Sequence, residues 1–161
     1  MAAKYPLAGL LTLRTRREEN ASRAVLTAEA EAKVTAEAKA AQGKKLTEYR
    51  VWHLEEKERR YQAILGQTLS QAELDEFKAG LALLDEQELA EIEELRRTEL
   101  ALTEAEAKIA AAREAWRAAD RAKQKLLMHQ DEWRAAEAKE AAYQEDKELE
   151  EFKPGAQPLD P

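Results

Sequence analysis

Cysteine is absent from this chain. That excludes a disulfide framework, a cysteine-based metal site and a thiol nucleophile. Structure breakers are scarce as well: five glycines and four prolines among 161 residues, three of those prolines within the last eight. So few breakers leave little room for strands or long loops. Long apolar runs are also missing. The stretch from Leu7 to Leu13 is halted by Arg14, too short to span a bilayer and not followed by a small-residue cleavage site. The reading is a soluble chain with no membrane span, unexported by any classical signal and compatible with a reducing cytosol.

What is present is charge, at 37 % of residues, carried on a background rich in Ala, Glu, Lys, Leu and Arg. That is the composition of long helices. The net charge of −7 argues against nucleic acid as a partner, because phosphate binding needs a basic face. The charge is uneven. Residues 1–65 hold 13 Lys/Arg and 9 Asp/Glu, a balance of +4, and residues 66–161 hold 13 and 24, a balance of −11. The two halves are complementary, which favours pairing within one chain over pairing of like with like.

Apolar residues recur every seven positions in the second half. Leu74, Leu81, Leu95, Leu102, Ile109 and Trp116 occupy one heptad position, and Phe77, Leu84, Ala105, Ala112, Ala119, Leu126 and Trp133 its partner. Glu88, Glu91, Thr98, Lys123 and Gln130 interrupt the stripe. A 3.5-residue period keeps one seam facing a neighbouring helix, as in a coiled coil.

The breakers set the boundaries. Pro6 closes an extended leader over 1–6 and suits the first turn of a helix. A first helix is predicted over 7–65 and a turn over 66–69. There Gly66 fits the left-handed residue after a helix end, and Ser70-Gln71-Ala72-Glu73 reads as a capping box. A second helix follows over 70–152, stopped by Pro154-Gly155, with a disordered tail over 153–161. The short turn makes the helices antiparallel neighbours, so residue i faces roughly residue 136 − i, counted about a turn centre at 68. By this register Trp52 meets Leu84 and Leu10 meets Leu126. Residues 131–152 are left as an arm without an intramolecular partner, bearing Trp133, Tyr143, Leu149 and Phe152. The fold class is therefore all-α: two long helices in an antiparallel coiled-coil hairpin with an overhanging C-terminal helical arm.

Catalytic and metal chemistry find no support. Gly43-Lys44-Lys45 lacks the earlier glycine and the hydroxyl residue of a phosphate loop, with Ala38 and Lys45 in those places. His129 and Glu132 lie one turn apart, but the only other histidine, His53, falls far away in the register. Carboxylate pairs such as Glu55-Glu56 have no pocket to tune them. The chain reads as a non-enzyme without cofactor or metal. The stronger signal is the start of helix 1: Leu7, Leu10, Leu11 and Leu13 run into Arg14, Arg16 and Arg17, and residues 1–17 carry four positive charges and no acid. These exceed what a two-helix seam buries and mark a docking end.

The residues Lys4-Tyr5-Pro6-Leu7 with the leucine turns and arginine run after them, and the stretch Leu127-Met128-His129-Gln130-Asp131-Glu132-Trp133 through Lys139-Glu140 to Gln144-Glu145, resemble the two ends of the YscO/FliJ family. These are stalk proteins of type III secretion, and the likeness is to the injectisome branch, including its chlamydial member. The resemblance covers about a quarter of the chain. It implies a central stalk whose termini end enters the ring of a hexameric secretion ATPase and whose turn points to the cytosolic ring of the export gate; chaperone binding is also attributed to the family. Carried over, Leu7, Leu10, Arg14 and Arg17 with Trp133 lie at the ATPase end, and the turn around Gly66–Leu69 points at the gate; Leu11, Arg16 and Tyr143 complete the candidate partner-binding residues. It implies a cytoplasmic location at the base of a membrane secretion complex. A monomer is expected in isolation. Two other readings are a secretion chaperone or adaptor that binds effector or chaperone helices, and a structural homodimeric coiled coil.

Overall fold

The computed structural model describes residues 3–152; the tail expected over 153–161 lies outside the described residues. Two helices carry the fold, α1 over Ala8–Ile64 and α2 over Gln71–Phe152. They pack antiparallel as a coiled-coil hairpin. α1 opens where Ala8 N–H donates to the Tyr5 carbonyl at 3.2 Å. It ends at Gly66, whose φ of 76° lies in the region that glycine enters without Cβ strain. α2 is capped by Ser70, whose hydroxyl accepts from the Glu73 amide at 3.2 Å.

The chain divides into two compact units: residues 1–23 with 113–161, and residues 24–112. In the second, the turn unit, α1 and α2 pair through Tyr61 on Phe77, Arg50 on Glu88, Lys45 on Glu91 and Gln42 on Glu91. In the first, the terminal unit, Arg14 bonds the Ala122 carbonyl and Glu18 bonds Trp116. The numbers of these partners add to between 133 and 138, scattered about the 136 of the sequence register.

On α2, every position of both heptad rows from Leu74 to Trp133 is buried or half-buried, and this includes all five polar interruptions. The matching rows on α1 are Leu11, Glu18, Val25, Ala32, Lys39, Leu46, His53 and Arg60, with Arg14, Ala21, Ala28, Thr35, Gln42, Tyr49 and Glu56, again all buried or half-buried. The apolar core is thin. Ala28, Ala32, Leu46, Leu84 and Ala105 are its buried members in the turn unit, and Tyr5 and Leu126 in the terminal unit. None of the described side chains is fully buried.

Two pairings differ from the sequence reading. Trp52 does not meet Leu84: it is 43 % exposed and packs on Tyr49 at 5.5 Å, while the Tyr49 hydroxyl donates to the Leu84 carbonyl at 2.6 Å. Leu10 is not in the row that faces Leu126; Leu11 is. In both places the row is set by its polar members, which hydrophobicity alone does not register.

Candidate docking surfaces

In the terminal unit the leader is anchored. Tyr5 is buried, with its hydroxyl 2.5 Å from His129 Nδ1 and its ring 5.4 Å from that of Trp133. Trp133 was expected to lack a partner within the chain; Tyr5 is that partner, because Pro6 turns the leader back over α2 before α1 begins. Arg14 also has a partner within the chain. Its guanidinium donates to the Ala122 carbonyl at 2.8 Å in a half-buried position, so it is a seam residue and not a free docking charge.

With Leu11, Arg14 and Glu18 facing α2, helical spacing turns Leu10 and Leu13 outward, and both are exposed. Leu7, just ahead of α1, is exposed as well. Arg16 and Arg17 are exposed beside them. The first acid, Glu18, is taken up by the Trp116 indole at 3.0 Å and Lys123 at 3.7 Å. The result is an apolar, cationic helix start with no acid among residues 3–17. Tyr143 lies elsewhere, exposed on an arm in which every residue from 134 to 152 is exposed.

In the turn unit, Gly66 and Leu65 are exposed and Leu69 is half-buried. A polar cluster, which the sequence showed only as breaks in the stripe, sits on the same unit. His53 is 5 % exposed. Its Nδ1 lies 3.3 Å from a Glu88 carboxylate oxygen, and its Nε2 lies 3.1 Å from Asp85 but out of hydrogen-bond alignment. Lys57 reaches Asp85 at 2.5 Å, and that hydrogen bond holds the Asp85 carboxyl below its ordinary range against partial desolvation. Glu91 accepts from Gln42 at 2.7 Å and Gln87 at 3.0 Å, with Lys45 at 3.4 Å. The Gln42 bond leads in lowering its pKa, with desolvation opposing. Burial raises the pKa of Tyr49, reinforced by the negative charge of Glu88, Asp85 and Glu91. Glu91 and Asp85 are paired within the cluster, while the buried His53 Nε2 has no aligned hydrogen-bond partner; the cluster belongs to the seam between the helices. The one signal that could have found part of it is register: at 136 − i, Glu91 faces Lys45, one turn from Gln42.

Among the described residues no group of His, Cys, Asp or Glu can hold a metal ion, and no helix is long and apolar enough to cross a membrane. The surfaces on offer are helical and open. The fold defines a two-helix coiled-coil protein.

Comparison with known proteins specifies the class. The family model described as type III secretion protein YscO matches residues 7–154, and the chain belongs to that family. The crystal structure of YscO from Vibrio parahaemolyticus superposes with a TM-score of 0.86 at 26 % identity, covering 91 % of this chain and 92 % of that one. A YscO homolog from Chlamydia trachomatis, CT670, shares the fold with a TM-score of 0.75 at 20 % identity over 93 % of this chain and 92 % of its own. A search of curated protein sequences finds no match. Membership makes this a type III secretion protein and implies contact with components of that apparatus.

Proposed function

We propose that this chain is a non-enzymatic stalk of the secretion apparatus, docking its terminal unit in the secretion ATPase ring and presenting its turn unit to the cytosolic ring of the export gate. The observation that carries the ATPase contact is the acid-free helix start, where Leu7, Leu10 and Leu13 stand exposed beside Arg16 and Arg17. Apolar area supplies adhesion there, and the arginines select an acidic rim. At the turn, exposed Leu65 with the Gly66–Leu69 loop is the corresponding contact. A single hairpin inside a six-fold ring touches its subunits unequally. It shifts their states only through that difference in contact, since a ligand moves an equilibrium by its differential affinity.

The test is co-sedimentation with the cognate ATPase and with the gate's cytosolic domain. Binding to both is expected at micromolar concentration, and binding to neither overturns the proposal. Replacing Arg16 and Arg17 with glutamate should weaken ring binding while helix content stays constant. Arg14 is left out of that variant because its loss would also open the seam at Ala122. A second reading, an adaptor for helices of secretion substrates or chaperones, is favoured by one observation, the exposed arm over 134–152.

A further inference from the structure

The heptad rows of α2 change character beyond Trp133. Continued by seven, they reach Glu140 and Lys147, and Glu137, Gln144 and Glu151; the seam that α1 fills ends in charge. A different stripe begins one residue over, at Ala138, Ala141, Glu145, Leu149 and Phe152. Steps of three and four place these on one helix face, turned by about 100° from the old seam, since each residue advances the helix by that angle. The face is continuous with real relief. Near Trp133 it floors a cleft of about 550 Å³ walled by Tyr5 and Trp133, with Ala138 and Ala141 below. At its outer end Leu149 and Phe152 line a shallower groove of about 300 Å³ between Glu145 and Glu148.

Charge selects the occupant. Residues 135–152 hold seven acids and two lysines, all exposed. We propose that this face is a docking site for one basic amphipathic helix of a partner protein, about five turns long at ~1.5 Å per residue. The two alanines leave room at the Tyr5 end for bulky partner side chains to enter the cleft. Leu149 and Phe152, 65 % and 85 % exposed, supply apolar contact at the other end. The flanking carboxylates pair with lysines or arginines at positions bordering the partner's apolar stripe, in the manner of flanking charges in coiled coils. An anionic bilayer is disfavoured by the same carboxylates. The proposal rests on the arm as a docking element, not on the ATPase or gate contacts, and it deepens the adaptor reading.

The experiment titrates the full chain with three synthetic 18-residue helices. One has leucine at the heptad seam positions and lysine on both flanks, one has glutamate in place of those lysines, and one keeps the lysines but scrambles the leucines. Fluorescence anisotropy reports binding. The first peptide should bind and gain helicity, at least about tenfold more tightly than either control, the margin of one or two well-buried contacts. Combining Leu149→Ala with Phe152→Ala should weaken it by a similar factor with chain helicity unchanged. Glu145→Lys with Glu148→Lys should shift preference to the glutamate-flanked peptide. Equal binding of the scrambled peptide, equal binding of both charge types, no binding at millimolar peptide, or capture of the arm by anionic lipid vesicles in preference to the peptide would each overturn the proposal. ATPase co-sedimentation of the same variants separates this outcome from that of the stalk reading.

Discussion

Tyr5 ties the leader to α2, and replacing it tests how the terminal unit is closed. An aromatic side chain carries about 150–250 Å² of surface, and only 7 % of Tyr5 remains exposed. At ~25 cal/mol per Å² of apolar surface, and with the usual reduction for a partly compact unfolded chain, its burial contributes about 3 kcal/mol. The tilted contact with Trp133 is included in that figure. Tyr5→Phe removes only the hydroxyl bond to His129, a loss of about 0.5–1 kcal/mol because His129 is exposed and water can replace the hydroxyl. The assay is amide hydrogen exchange read by NMR together with the three indole resonances. Tyr5→Ala should raise exchange at the Ala8 and Leu11 amides by about 100-fold, the factor that ~3 kcal/mol implies, and move the Trp133 indole signal while those of Trp52 and Trp116 stay in place. Tyr5→Phe should raise exchange about fivefold at most. If Tyr5→Ala leaves both exchange and the Trp133 signal unchanged, the leader is not held as described and the cleft beside it has no wall.

The remaining predictions address the turn, the seam and the core. Gly66→Ala should cost about 1 kcal/mol by denaturant unfolding, wholly from its positive φ, since nothing lies within 4 Å of the added Cβ; Gly9→Ala, inside α1 with equal space, should stabilise by about 0.5–1 kcal/mol. Asp85 and Glu91 both have depressed pKa values, so their contribution is complete above the ordinary carboxylate range and lost as pH falls through their folded values. Melting temperature followed by circular dichroism should therefore drop below about pH 4, and less steeply when Glu91 is replaced by glutamine. Leu46→Ala should destabilise the chain by about 2–3 kcal/mol, the low end for buried leucine because a thin seam can close on the gap. A loss below 1 kcal/mol would mean the leucine is not a core residue.

The second half of the fold was legible because its apolar residues repeat every seven positions, and the turn because Gly66 and Ser70 carry opposite end signals. The seam of α1 was not legible. More than half of its positions are polar or charged, among them Arg14, Glu18, Lys39, Gln42 and His53, and no hydrophobic period survives that. Arg14, Glu18, Gln42 and His53 enter the seam because each meets a partner on α2, a property of the pair and not of either residue alone. The exposed start of α1 was half legible. Leu7, Leu10, Arg16 and Arg17 stand exposed where an excess of leucine and arginine placed them, but Arg14 and Trp133 proved to have intramolecular partners. One turn of register decides which leucine or arginine faces inward, and a backbone carbonyl such as that of Ala122 has no signature in sequence.

No described side chain is fully buried, and this has a calorimetric consequence. Unfolding heat capacity tracks newly exposed apolar surface and is reduced by exposed polar surface. A seam of alanine, glutamate, glutamine and histidine releases little of the first and much of the second. Per residue, the heat-capacity change should fall below the ~12–15 cal/mol/K of globular domains, and the stability curve should be correspondingly flat. Such a chain holds a similar margin of stability across a wide temperature range, with shallow denaturant dependence and weak cold destabilisation.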